Sequence, residues 1–307
     1  MSPLREAPLP DGILTRMVTI AELRKRVQEP VRQYNDVAGV LVGDHASILV
    51  TKLFVELGIS PNVATLSMLV TGVAGSLLIL KGGWFAVAGF ALVFLYYVFD
   101  CVDGEVARFH KGEKLVWGYW DFLFHLAVKA SFFVCLGIYA AQTTGEAWVF
   151  LFGLGALLAA LFQKFLQDVS SMLVCRYVFL STNDSRDRFV EQLVVGADRA
   201  TFAVDGDLPG DQVPFRFAGL LPSLRAIATN FDLSTLFFLA AAIADVWIGK
   251  FALFGIEFDL KILLLLFYGT VMPLDFIDRL VHHARKDRFR AECQRLLRRA
   301  HHFRLHG

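Results

Sequence analysis

Between Asp100 and His125 the chain reads DCVDGEVARFHKGEKLVWGYWDFLFH, a run of acids on helical spacing directly after a long apolar stretch. Steps of three, four and seven residues bring Asp100, Asp103 and Ala107 onto one side of a helix, with Gly104 and Arg108 one residue round from it. Asp121, His125 and Lys129 follow at intervals of four and form a second stripe. Carboxylates on two facing membrane helices point to a hard divalent cation, because Mg²⁺ or Mn²⁺ takes oxygen ligands and Mg²⁺ leaves room for substrate phosphates. An isolated acid inside a bilayer costs roughly 2.5–3.5 kcal/mol on insertion scales, so acids there are functional candidates by default. A metal cluster is the expectation.

The stretch resembles the signature of the CDP-alcohol phosphotransferase family, D-x2-D-G-x2-A-R-x8-G-x3-D-x3-D. Asp100, Asp103, Gly104, Ala107, Arg108 and Asp121 match it in identity and spacing. Two positions depart: the glycine slot falls on Trp117, with Gly118 one residue late, and the fourth aspartate is His125. Pro61-Asn62-Val63-Ala64-Thr65 resembles the opening of the family's first membrane helix. The likeness extends loosely from about Ser60 to the last apolar run.

The resemblance implies an all-α, polytopic membrane bundle whose acids hold one or two divalent ions that grip the diphosphate of a CDP-linked donor. Asp100, Asp103 and Asp121 would be the metal ligands. Gly104 and Ala107 would be small so that the nucleotide can lie against the helix, and Arg108 would support the acids or a donor phosphate. Asn62 would contact the nucleotide, with helix capping as the alternative for both Asn62 and Thr65. The base that deprotonates the acceptor hydroxyl would be His125, acting beside Asp121. Imidazole titrates near neutrality and suits that task. It is a poor Mg²⁺ ligand, better matched to Zn²⁺ or other transition metals. The substitution is therefore compatible with one metal rather than two, an altered acceptor, or lost activity. Lys129, one turn beyond His125, is a candidate to contact an acceptor phosphate or to tune the histidine, with pairing to an acid elsewhere in the bundle as the alternative.

Composition sets the class that must position these groups. Hydrophobic residues are 56% of 307 and Phe occurs 29 times, with a mean hydropathy of +0.53. That describes a polytopic helical membrane protein and excludes a soluble nucleic-acid-binding protein. Four cysteines lack metal-ligand or secreted-framework spacing, so reduced thiols are expected. No early apolar run suggests a cleavable leader. Met17–Arg32 is charged, mildly amphipathic and interrupted by Pro30. Ala46–Leu57 is apolar but too short to span, and reads either as an interfacial helix or as one packed on the body, with Asp44 a candidate cap.

Six spans are expected near 62–81, 83–107, 118–141, 145–176, 233–250 and 260–281, each near the ~20 residues a bilayer requires. The organisation is thus an N-terminal segment, 1–60, a six-span domain, 61–281, and a basic tail, 282–307. A polar insertion at about 181–232 lies between the fourth and fifth spans and contains the turn cluster Asp205-Gly206-Asp207-Leu208-Pro209-Gly210. With the N-terminus inside, 25 lysines and arginines fall on that side, against Lys81, Lys250 and Lys261 on the other. The positive-inside rule then puts both termini and the acids at the cytoplasmic face of a bacterial or archaeal inner membrane. The tail, with seven arginines and five histidines, suits anionic headgroups.

Other charges have structural readings. Lys164 and Asp168, four apart, suggest an ion pair. Asp275, Asp278 and Arg279, at the inner end of the last span, suggest solvated interfacial charges, with lining of the cavity as the alternative. Arg176 and Arg225 are candidate phosphate contacts without a spacing argument. Family likeness implies a homodimer, for which Gly153-Leu154-Gly155-Ala156 offers a helix contact.

The expected activity is transfer of a phosphatidyl or other phospho-alcohol group from a CDP-linked donor to a hydroxyl acceptor, releasing CMP. CDP-diacylglycerol with a small polyol or polyol phosphate is the first choice. A CDP-linked polar alcohol passed to a lipid acceptor is the second. A nucleotide-binding regulator that has lost turnover, and a metal transporter, are the readings from other classes.

Overall fold

The computed structural model of the chain describes residues 18–34, 42–110, 115–174 and 230–284. Arg176, Arg225, the polar insertion up to 229 and the basic tail from 285 lie outside the described residues. Within them, six helices are long and apolar enough to cross a membrane, and they build a polytopic helical bundle.

Two short helices come first. Helix α1, Ile20–Val27, opens with a reciprocal cap in which Thr19 Oγ1 accepts from the Glu22 amide and Glu22 accepts from the Thr19 amide. It ends before a 3₁₀ turn at Glu29–Tyr34, where Pro30 suits the first turn of a helix and not its interior. Helix α2, Asp44–Glu56, starts one residue earlier than a cap at Asp44 requires, since Gly43 takes the cap position. One side of α2 buries Ser47, Ile48, Thr51 and Phe54; Leu49, Leu53 and Leu57 are exposed on the other. A buried side of mixed character with leucines facing outward is compatible with a helix beside lipid.

The spanning helices are α3 (Pro61–Ile79), α4 (Gly83–His110), α5 (Leu115–Thr144), α6 (Phe150–Val174, entered by a 3₁₀ turn at Ala147–Val149), α7 (Phe231–Ile248) and α8 (Leu260–Ala284). Helix α4 has 28 residues, about 42 Å at 1.5 Å per residue. It outruns a hydrocarbon layer of about 30 Å, which leaves its last turns, Asp100 onward, free to carry charge. The fifth span begins earlier than expected because Asn230 Oδ1 caps it, accepting from Leu233 N at 2.8 Å. It also ends earlier, at Gly249, whose φ of 74° suits glycine. A hairpin of β1 (Phe251–Leu253) and β2 (Ile256–Phe258) then joins α7 to α8, with Phe251 opposite Phe258. Its two loop residues, Phe254 and Gly255, both have positive φ, as a tight hairpin turn demands. The sequence reading missed this hairpin, since three-residue strands carry no usable alternation.

Small residues set how closely the helices approach, as expected where burying apolar surface from lipid gains nothing. A Cβ on Gly75 of α3 would lie 2.6 Å from the Gly89 carbonyl oxygen of α4, and the reverse contact is equally short. Gly153 of α6 lies against the Phe133 carbonyl and Gly137 of α5, Gly155 faces the Gly269 carbonyl of α8, and Ala156 is buried. The small-residue run read as a dimer contact is therefore taken up inside one chain. Aromatic side chains fill the space between α4, α5 and α7. Phe90 stacks on Phe238 at 5.6 Å, and Phe132 meets Phe90, Phe231 and Phe238 edge-on.

Asp275 differs from its expected solvated role. It is 5% exposed and accepts from Gln163 Nε2 of α6 at 2.9 Å and Arg279 Nε at 2.6 Å. The carboxylate joins two helices, which the local i,i+4 spacing could not reveal. The Asp168 side chain lies outside what is described, and Lys164 stands 5.7 Å from the Phe122 ring centre. The two described cysteines, Cys101 and Cys135, are free thiols.

Candidate functional site

The last turns of α4 and the first turns of α5 bring the two charged stripes together. One ligand atom from each of Asp100, Asp121 and His125 lies within 4.8 Å of the others, close enough to share a cation. His125 Nε2 is 3.1 Å from Asp100 Oδ1 and 3.5 Å from Asp121 Oδ1. The side chains are 22–34% exposed, so the cluster is partly buried and partly accessible.

Tyr96, one turn before Asp100 on α4, closes the far side of the histidine. Its hydroxyl is 2.5 Å from His125 Nδ1 and its side chain is fully buried. With Nδ1 occupied by the phenol, Nε2 is the nitrogen presented to the carboxylates. When Nε2 carries the proton it donates to Asp100 Oδ1, and Nδ1 accepts from the tyrosine hydroxyl. When Nε2 is bare, the proton sits on Nδ1 and the tyrosine oxygen accepts. The phenol serves either tautomer, which is what a metal-ligating histidine needs from its outer partner.

Asp121 supplies the test of whether a cation fits. Its Oδ1 is buried, yet no described residue gives it a hydrogen bond. Buried carboxylate oxygens normally have donors, and one left without them costs free energy unless another positive partner is present. Two carboxylates and one imidazole nitrogen form a mixed oxygen–nitrogen donor set, which suits a transition-metal dication more than Mg²⁺.

Asp103 stands beside this group. Thr65 Oγ1 donates to its Oδ2 at 2.7 Å, and Asp103 remains within electrostatic reach of Asp100, Asp121 and His125. Thr65 thus joins α3 to the acids, while half-buried Asn62 lies one turn earlier on that helix. The Lys129 ammonium is 5.3 Å from the Phe231 ring centre and interacts electrostatically with Asp100 and His125.

Arg108 of the motif reaches elsewhere. Arg108 Nε donates to the Val27 carbonyl of α1 at 2.7 Å. Ala107 is buried, and a Cβ on Gly104 would sit 3.0 Å from Arg108 Nη1. Gly104 thus leaves space for the arginine of its own helix as that side chain turns toward α1. Spacing puts Arg108 near the acids in angle, but the position of α1 decides where it reaches.

Three participants escaped the sequence reading. Tyr96 looks like one more aromatic in an apolar run. Glu105 looks like a variable position inside the motif, yet it is 2% exposed. Asp232, in the first turn of α7, interacts electrostatically with Tyr96 across a long stretch of chain. Only the Tyr96-to-Asp100 spacing of four could have drawn attention to any of them.

In comparison with known proteins, no family model matches the chain, and no curated protein matches it.

Proposed function

We propose that the chain is a membrane transferase that moves a phospho-alcohol group from a CDP-linked donor to a hydroxyl acceptor and releases CMP. The observation that carries this reading is the convergence of Asp100, Asp121 and His125 within 4.8 Å, beside Asp103, where the last turns of α4 meet the first turns of α5. The motif's spacing supplies the substrate class. CDP-diacylglycerol is the preferred donor, a small polyol or polyol phosphate the preferred acceptor, and the cytoplasmic face of the cell membrane the location.

Asp100, Asp121 and His125 would hold Mn²⁺ or Mg²⁺, with Asp103 as a further oxygen donor. When bound there, such an ion would supply positive charge to offset that of a diphosphate and of a leaving phosphate. Thr65 orients Asp103, and Tyr96 orients the His125 ring. Lys129 adds positive charge one turn along α5, where it favours an anionic donor or acceptor. The exposed side of the cluster would admit an acceptor hydroxyl, whose proton a carboxylate would accept, or His125 Nε2 where the acids alone hold the ion.

One observation favours a second reading. His125 Nε2 already pairs with Asp100, which occupies the nitrogen that a base needs free. On that reading the chain binds CDP-linked ligands without turning them over and acts as a regulator.

The test is CMP release by the purified chain in lipid, with CDP-diacylglycerol and pooled polyols, then with CDP-linked polar alcohols and a lipid acceptor. Release that needs Mn²⁺ or Mg²⁺, stops with chelator and is lost in Asp103→Asn establishes the transferase. CDP binding without release from either donor class establishes the regulator and contradicts the transferase.

A further inference from the structure

Glu105 sits inside the acidic motif, two residues after Asp103, and faces the other way. At 100° per residue the two side chains are about 200° apart around α4. Asp103 points to α3 and Glu105 points to the helices that precede it. A carboxylate this deeply buried needs donors for its lone pairs, or its desolvation is uncompensated. Three neutral donors meet it. Gln28 Nε2 donates to Oε1 at 2.7 Å, Ser47 Oγ donates to Oε1 at 2.6 Å, and Thr51 Oγ1 donates to Oε2 at 2.5 Å. Ser47 and Thr51, one turn apart on α2, are themselves completely buried. Gln28 also donates to the Asp44 carbonyl at 2.7 Å, tying the end of α1 to the start of α2.

Two arginines complete the joint. Arg108 Nε reaches the Val27 carbonyl, and Arg26 Nη2 donates to the Phe109 carbonyl at 3.0 Å, its guanidinium 4.2 Å from the Phe109 ring centre. Apolar packing alone would hold these helices in contact: Leu23, Val27, Ile48 and Phe109 form one cluster, and Phe54, Val98, Val102 and Val106 another. An apolar residue at position 105 would extend those clusters without desolvating a charge. What an apolar residue lacks is direction. Three hydrogen bonds to one carboxylate form at one rotation and one height of α4.

We propose that Glu105 is a positioning residue: the α1–α2 arm grips it and fixes the rotation of α4 that presents Asp100 and Asp103 to α5 and α3. This rests on reading the acid–histidine cluster as the working site. Thr65 on Asp103 and the three donors on Glu105 hold the same turn from opposite sides. Rotating that turn by a fraction of a residue separates Asp100 from His125 while leaving the apolar packing largely intact.

The test uses the full chain in lipid and two readouts. The first is the ¹⁵N resonances of the His125 ring without metal, identified by their loss in His125→Asn; the second is half-saturation by Mn²⁺. Glu105→Leu is expected to fold, to shift or split the His125 resonances, and to need at least about tenfold more Mn²⁺, in line with outer-sphere losses elsewhere. Glu105→Gln keeps an accepting oxygen for Gln28 and Ser47, and Thr51 can turn to accept from its amide. It is expected to restore both readouts to within about threefold of the starting protein. If Glu105→Leu does not fold, Ser47→Ala/Thr51→Val removes two donors and must produce the same shift. Unchanged His125 resonances in the folded variant overturn the proposal. Shifted resonances in a chain whose parent releases no CMP uphold the positioning role and overturn the transferase reading instead.

Discussion

The two ends of α5 carry similar inventories of charge and arrange them in opposite ways. Near its start, Asp121 and His125 meet Asp100. Near its end, Tyr139 meets Asp245, Asp259 and Lys261, roughly 20 Å along the helix. At this second site Lys261 Nζ lies 2.5 Å from Asp245 Oδ2 and 3.0 Å from Asp259 Oδ2. Every carboxylate oxygen has a donor: Leu260 N and Ile262 N serve the remaining two, and the Tyr139 hydroxyl donates to Asp259 at 2.6 Å. The three charged side chains are 3–6% exposed. They border a cavity of about 200 Å³, but their polar atoms are committed to one another. At the first site the acids outnumber their donors, Asp121 Oδ1 has none among the described residues, and the side chains are partly open. Saturated buried charge fastens α5, α7 and α8; unsaturated charge leaves valence for a ligand.

If that distinction holds, substitutions at the two ends will separate stability from chemistry. The largest effect on folding is expected for Lys261→Met, which strands two buried carboxylates and should cost about 3–5 kcal/mol. Thermal or denaturant unfolding in detergent would show it, while CMP release per folded molecule stays near the parent value. Asp121→Asn is expected to do the reverse. Removing the oxygen without a donor should leave the unfolding midpoint unchanged or raised. Metal-dependent release should fall at least about a hundredfold, because the ion's contribution amounts to several kcal/mol.

Tyr96→Phe sharpens the comparison, because it touches the first site without removing a ligand. It leaves His125 Nδ1 without its partner and should cost about 1–3 kcal/mol of stability. It should also weaken Mn²⁺ half-saturation about 10–100-fold. The smallest effect is expected for Lys250→Gln. Its bridge to Glu257 is 3.2 Å long but half-exposed on both sides, and such pairs contribute about 0–1 kcal/mol.

The same contrast explains what the sequence made legible. Long apolar runs specify spanning helices almost by length alone, so the six spans were readable. Asp100, Asp103, Asp121 and His125 announced themselves because an acid or histidine in an apolar run has no cheap structural use. Lys261 did not: by position it counts as one more flanking cation, and only the fold reveals that it is buried between Asp245 and Asp259. Glu105 and Asp275 failed for the same reason, since the three donors to Glu105 and the Gln163 donor to Asp275 come from residues 54–112 positions away. Gly153 and Ala156 were read as a surface for a second copy because a small residue looks the same whichever helix it meets. Long-range satisfaction of polar atoms is a property of the packed chain and not of any window in it.

The most direct measurement is Mn²⁺ binding to the purified chain in lipid, comparing the parent, Asp121→Asn and Asp245→Asn. One saturable site in the parent and in Asp245→Asn, lost in Asp121→Asn, is the result expected if unsaturated charge marks the ligand site. Equal binding in the parent and Asp121→Asn, or loss only in Asp245→Asn, would contradict it.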